Sequence, residues 1–291
     1  MLKRGGIPTG LGDRLGNYLI YAMLGEILNV DIYTTWIYKQ RSYGERGSQY
    51  PNNIEEYINF PVRLKFVSQN ELDNLNIGWL NYRWVYHGFD YIPETIYKSL
   101  KEDNTINCTF DEMISIYKKV CKELYYKKDL PKELISRQGI IHLRRGDKEN
   151  NTNHNDKIIN LVNKYNNKVS NWIITSDSEI PKNLIKKIPN IIYPKWSSDN
   201  KIRTLEEFFA YSYSSIIIQS VNLQKDANWS GWAGYSYVAF QVGLSKFEEN
   251  PPILISCNID EENTRLTYAK QYAERELKNI FMYNHIDLEK P

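Results

Sequence analysis

Cysteine is scarce in this chain and scattered where it occurs. Cys108, Cys121 and Cys257 lie far apart, which excludes a disulfide framework and gives no metal-ligand spacing. An excess of one charge sign is also missing. Lysine and arginine total 37 against 35 acidic residues, a net charge of +2. That balance argues against a general nucleic-acid coat protein while leaving room for a local basic pocket. No apolar run approaches the length of a membrane span. The opening residues, MLKRGGIPTGLG, carry positive charge with no apolar run behind it, so they do not read as a secretory signal. The Asn-x-Ser/Thr triplets at Asn107, Asn150 and Asn228 are then incidental in an asparagine-rich chain. Internal repeats and long low-complexity tracts are absent too. The expectation is a reduced, soluble, cytoplasmic protein with no integral membrane segment and no nucleic-acid partner.

What is present suits one large domain or two ordinary ones: 291 residues, 42% hydrophobic and 25% charged. The second half is the more legible. Short apolar runs, often β-branched, recur at Gly139–Leu143, Asn171–Thr175, Asn190–Tyr193, Ser215–Ser220 and Pro252–Ser256. Such runs predict strands buried on both faces. Helical spacing lies between them, as in Ile158, Leu161, Val162 and Tyr165, or Leu205, Phe208 and Phe209. Alternating strands and helices imply a parallel sheet with right-handed crossovers. Residues 136–258 therefore read as one Rossmann-like domain. In the first half, Leu15, Leu19, Ala22, Met23 and Ile27 mark a helix, and Val30–Tyr38 follows as a strand. Met113, Ile116, Tyr117, Val120 and Leu124 mark a second helix. The span Gly78–Ile92 is dense in aromatics, which suits either a core strand and loop or a surface that stacks on sugar rings. A last helix is expected over Asn263–Tyr283.

Four stretches carry chemistry-bearing residues. Gly10-Leu11-Gly12-Asp13-Arg14-Leu15-Gly16 opens the first helix, where glycines let backbone amides approach a ligand. Its spacing is one residue longer than the dinucleotide fingerprint, and the few charged residues before it make a poor buried strand, so NAD binding is rejected. His142-Leu143-Arg144-Arg145-Gly146-Asp147 ends a predicted strand. Ligands bind outside the carboxyl ends of strands in open parallel sheets, and arginine grips phosphate with a planar fork of donors. A solvated strand exit with a core histidine is the plainer alternative. Thr175-Ser176-Asp177-Ser178-Glu179 also ends a strand. It suits a loop that contacts a nucleoside, a helix N-cap, or an acidic pair that holds a divalent metal. Trp229-Ser230-Gly231-Trp232-Ala233 precedes a helix whose start offers a hydroxyl and free amides to phosphate, or is simply capped.

Taken in order, these stretches resemble the motifs of the fucosyltransferase superfamily that includes α-1,2-, α-1,6- and protein O-fucosyltransferases. His142-Leu143-Arg144-Arg145-Gly146-Asp147 is similar to its H-x-R-R-x-D motif, and Gly10-Leu11-Gly12-Asp13 to its G-L-G-N. Thr175-Ser176-Asp177 is similar to its second motif, and Trp229-Ser230-Gly231-Trp232-Ala233 to its F-S-x-W-A element.

The resemblance implies an α/β, GT-B fold: two facing Rossmann-like domains with a C-terminal helix crossing back. The expected divisions are an acceptor-side domain at 1–135, a nucleotide-sugar domain at 136–258 and a returning helix at 259–291. It implies an inverting glycosyltransferase that moves fucose from GDP-fucose to a glycan acceptor, with no cofactor and no metal. Arg144 matches the arginine that holds the donor diphosphate, with Arg145 beside it. His142 matches a nucleotide-side contact, and Ser230 and Gly231 meet the diphosphate. Asp177 lies in the second motif, and Glu206 or Glu207 near an acidic position that contacts guanine. Asp13 stands where the family has Asn or Glu, which makes it the first candidate for a general base, with Asp147 and Glu149 as alternatives. The chain also departs from the family in lacking a clear strand before the glycine loop. Three rivals remain open: a GT-B enzyme with another donor, a metal-dependent enzyme using Asp177-x-Glu179, and a carbohydrate-binding protein without catalysis.

Overall fold

The computed structural model describes residues 1–6, 10–36, 50–80, 93–103, 105–135, 137–144, 155–221, 234–257 and 286–287. It is a mixed α/β structure that divides into two compact units. Unit 1 comprises residues 1–129 with 197–206, and unit 2 residues 130–196 with 207–291.

Unit 1 carries a parallel four-stranded sheet in the order β4 (Leu64–Phe66), β2 (Ile32–Thr34), β1 (Leu2–Lys3), β5 (Gly78–Trp79). Helix α1 (Leu11–Ile27) connects β1 to β2, and α2 (Gln69–Asn74) lies between β4 and β5. Helices α3 (Pro93–Glu102) and α4 (Phe110–Glu123) follow; Thr109 and Glu112 close a reciprocal capping box at the start of α4. A small antiparallel pair joins β3 (Ile58–Asn59) to β6 (Tyr125–Tyr126).

Here the first strand corrects the sequence reading. The residues before the glycine loop do form a strand, and it lies inside the sheet between β2 and β5. Lys3 is buried there because its ammonium group is met by backbone carbonyls at the end of α2. Its Nζ donates to Leu75 O at 2.6 Å and to Leu72 O at 3.2 Å, where the helix dipole favours a cation. Rejection of NAD therefore rests on glycine spacing alone. Gly6 follows for a steric reason: a Cβ there would meet the Thr35 carbonyl oxygen at 2.6 Å. The strand expected over Val30–Tyr38 is shorter, since only Ile32–Thr34 pair among its described residues.

Unit 2 carries a parallel five-stranded sheet in the order β8 (Trp172–Ser176), β7 (Gly139–Arg144), β9 (Ile216–Val221), β10 (Ile253–Ser256), β11 (Ile286–Asp287). The crossovers carry α6 (Asn155–Tyr165), then α7 (Lys182–Ile185) and α8 (Asn200–Tyr213), then α9 (Gly234–Lys246); the short α5 (Lys132–Ile135) precedes β7. Of the five predicted strands in this half, four form. Asn190–Tyr193 gives only an isolated bridge between Ile191 and Trp172. The predicted helix over 263–283 lies outside the described residues.

Alternation along β7 sets its two faces. Ile141 and Leu143 join a buried cluster with Ile158, Leu161 and Val162 of α6 and Trp172 of β8. Gly139 is opposite Trp172 in the register, and its missing side chain leaves room for the indole. A Cβ would lie 2.5 Å from Trp172 Cζ3 and 2.9 Å from Cδ2, and Trp172 is fully buried. Gly139→Val is therefore expected to cost about 3 kcal/mol, at the upper end for an overpacked core, read as a lower urea midpoint with an unchanged m-value.

Candidate functional site

The chain runs from β7 outward to β8 on one side and to β9 on the other, so the order of the unit 2 sheet reverses between β7 and β9. In open α/β sheets a crevice forms outside the carboxyl ends of the strands at such a reversal. Here those ends are Leu143-Arg144 on β7 and Ser220-Val221 on β9, paired Leu143 to Ser220 and Arg144 to Val221.

One residue below this edge, a polar row crosses the three adjacent strands. Thr175 on β8, His142 on β7 and Gln219 on β9 are direct partners in the register. All three are buried. The helices supply what these side chains need. Thr175 Oγ1 is hydrogen-bonded to the Tyr211 hydroxyl of α8. Ser236 Oγ of α9 donates to Gln219 Oε1 at 2.7 Å. The His142 ring packs against Tyr211 at 5.4 Å and Tyr235 at 5.9 Å between centroids, and the two tyrosines meet edge to face at 5.3 Å. Helix α9 is buried from Ser236 to Ser245, so packing holds it from its third residue onward.

Charge gathers at the same place. Burial drives the Tyr211 hydroxyl well above its ordinary pKa, and the carboxylates of Glu207 and Asp177 push it further. Three of the residues singled out from sequence thus act on one tyrosine, His142 by ring contact and Glu207 and Asp177 through their charge. Glu206 points to other work: its Oε2 accepts the Ser197 N–H at 2.7 Å within unit 1. Asp177 is exposed just past β8, where the Ser178 N–H bonds Ser176 Oγ at 3.1 Å. It caps no helix, since α7 begins at Lys182.

Asp13 sits in the first turn of α1, beyond the carboxyl end of β1 in unit 1, and its backbone carbonyl accepts from Asn17 Nδ2 at 2.8 Å. Arg144 ends β7. Arg145, Asp147, Glu149, Ser230, Gly231 and most of the aromatic stretch after Trp79 lie outside the described residues. Sequence reasoning passed over Tyr211, Gln219 and Ser236, and included Tyr235 only as the end of the stretch Asn228–Tyr235, with no role. Gln219 did leave a signal, as an amide inside the apolar run IIIQS.

The buried tyrosines predict an alkaline limit. Burial pushes Tyr21 and Tyr126 up to about 12, and it raises Tyr211 as well. A folded-state pKa above the unfolded value of about 10 means that the native state holds the proton more tightly. The stabilisation is complete below the unfolded value and is lost as pH rises from there through the folded-state pKa of about 12 for Tyr21 and Tyr126. The melting temperature should be level near neutrality on this account and fall steeply above about pH 10; a flat profile to higher pH would contradict it.

These features define an α/β protein on two parallel sheets, with a polar, hydroxyl-rich row under the carboxyl edge of the second. Among the described residues no group of three or more His, Cys, Asp or Glu side chains is placed to hold a metal ion, and no helix is long and apolar enough to cross a membrane. No protein-family model matches the sequence, and no curated protein matches it. Among solved structures the chain is similar to the fucosyltransferase NodZ from Bradyrhizobium, at a TM-score of 0.44 and 9% identity over 81% of this chain and 90% of that one. The selenomethionine form of the same enzyme gives a TM-score of 0.42 and 10% identity over 81% and 89%.

Proposed function

We propose that the protein is a GT-B glycosyltransferase that transfers fucose from GDP-fucose to a hydroxyl of a glycan acceptor by a single, inverting displacement without metal. The observation that carries this reading is the position of the arginine motif. His142-Leu143-Arg144 closes the strand at which the sheet order reverses, and the Trp229–Ala233 element directly precedes α9, the helix that follows β9. The first motif thus reaches the edge where such sheets bind ligands, and the second lies in the sequence between β9 and α9.

The chemistry requires that geometry. Cleaving the sugar–diphosphate bond builds negative charge on the leaving group, and fixed cations and amides must receive it. In this reading Arg144 and Arg145 hold the diphosphate, and Ser230 and Gly231 add a hydroxyl and amides at the start of α9. His142 lines the nucleotide side, and Glu207 and Asp177 face the base and ribose. Asp13 takes the acceptor proton as general base. The row Thr175–His142–Gln219, held by Tyr211 and Ser236, keeps the strand ends in register beneath the nucleotide.

The test is thermal stabilisation by nucleotides in EDTA, since a ligand that binds only the native state raises the melting temperature by mass action. GDP and GDP-fucose should stabilise and UDP should not. Stabilisation by UDP alone would transfer the proposal to another donor. Loss of binding in EDTA with recovery in manganese would favour the Asp177-x-Glu179 metal reading. No shift with any nucleotide would overturn the diphosphate clamp and leave a carbohydrate-binding protein.

A further inference from the structure

The outer layer of unit 2, over α6 and α7, carries a charge imbalance that the whole chain lacks. Helix α6 turns Ile158, Leu161, Val162 and Tyr165 into the cluster beneath the sheet, and the stretch through α7 turns Leu184 and Ile188 into the same cluster. Their other faces look outward, and there stand Lys164, Lys168, Lys182, Lys186 and Lys187, all exposed. Asp156, at the start of α6, lies 3.9 Å from Lys187, so it ties α6 to the end of α7 and balances one of these charges. The other exposed positions of α6 are the uncharged Asn160 and Asn163. Asp177 and Glu179 are exposed at the carboxyl edge instead, in the turn between β8 and α7.

The residue types point to the kind of partner. Lys164 and Lys168 stand over the same buried ring, that of Tyr165, at 5.3 and 5.1 Å from its centre, which holds two like charges at one end of the layer. All five cations are lysines. Lysine is a compact, strongly hydrated point charge, suited to attraction by a diffuse sheet of negative charge; reading a nucleic acid calls for the planar fork of arginine at phosphates and base edges. Attraction to an anionic lipid surface acts over a Debye length and needs no groove. An aromatic side chain stands beside the lysines. Ile191 packs against the same cluster and bridges to Trp172 at the edge of the sheet, and two residues further on Tyr193 is 72% exposed. A ring with a polar tip is the side chain that settles where headgroups meet acyl chains.

We propose that this lysine layer docks the protein on an anionic lipid surface, with Tyr193 entering the headgroup region. The inference concerns unit 2 alone and does not depend on the donor reading, in which none of these residues takes part. The experiment is co-sedimentation of the full chain with vesicles of phosphatidylcholine alone and of phosphatidylcholine with one third phosphatidylserine. The mixed vesicles should carry the protein down and the neutral ones should not, and about 1 M salt should release it. Lys182→Glu combined with Lys186→Glu should weaken binding by roughly 30-fold or more, since each lysine near such a surface is worth about fivefold. Lys122→Glu combined with Lys128→Glu changes the net charge equally at exposed positions of unit 1 and should leave binding close to wild type. Melting temperatures check the fold of both variants. No sedimentation with the mixed vesicles overturns the proposal. So does equal binding to neutral vesicles, or an equal loss in the two double variants, which would make net charge rather than this face responsible. A DNA duplex that binds through Lys182 and Lys186 while vesicles do not would also overturn it, and would make the layer a nucleic-acid surface.

Discussion

Arg144→Ala should lower transferase turnover by roughly 100- to 1000-fold, the loss seen when one preorganised donor to a developing oxyanion is removed. On the proposed reading the same variant should also lose most of the thermal stabilisation given by GDP, because the guanidinium would meet the standing charge of the diphosphate as well as the further charge that develops on it during cleavage. Arg144→Lys should recover only part of both effects: an ammonium keeps the charge but lacks the planar, bidentate fork. Isothermal titration with GDP, beside initial rates with GDP-fucose, separates the two contributions. Wild-type GDP affinity in Arg144→Ala would show that the diphosphate is held elsewhere, whatever happened to turnover.

Arg14→Ala should be the most damaging single change to the stability of unit 1, at about 3–5 kcal/mol by urea denaturation. Arg14 is only 1% exposed, although it lies within a charged-looking glycine motif. Its guanidinium carbon stands 4.8 Å from the centroid of Trp36 and 5.2 Å from that of Tyr50, and Nη1 donates to the Trp36 carbonyl at 3.2 Å. Tyr50 in turn accepts the Leu11 N–H at 2.8 Å, one of the open amides at the start of α1. Burial lowers the Arg14 pKa, and Tyr18 and Tyr50 offset part of that cost. Removing the side chain empties a slot between two rings and leaves a buried carbonyl without its donor. Arg14→Lys should recover less than half of the loss, since a lysine cannot stack on both rings. A melt within about 1 kcal/mol of wild type for Arg14→Ala would show that the slot collapses without cost.

The same residue shows where sequence reasoning runs out. Next to Asp13 and among glycines, nothing in the sequence marks Arg14 as buried. Tyr18 lies one helical turn on, but Trp36 and Tyr50, the rings that enclose the guanidinium, are brought to it only by tertiary structure. Strand length decided much of the remainder. In unit 2, runs such as Gly139–Leu143 and Ser215–Ser220 are long enough for β-branched continuity to speak, and strands form there. In unit 1 the strands have two or three residues, too short for any period to register, and the innermost begins beside two cations. Lys3 misleads because the carbonyls that accept it lie about seventy residues away. The polar row was half visible. His142 and Thr175 stand near strand ends in the sequence, but their alignment with Gln219 depends on register, and Tyr211 on a helix whose inward face also carries Phe208.

The division of the chain has a consequence for its biogenesis. Unit 1 is not a continuous stretch: it takes in residues 197–206, after β7 and β8 of unit 2 have already been passed. A ribosome emitting this chain releases two strands of the second sheet before the first unit has all its parts. That segment, which runs into the first half of α8, is therefore the last part of unit 1 to leave the ribosome. A fragment cut at residue 129 would leave out the last ten residues of unit 1.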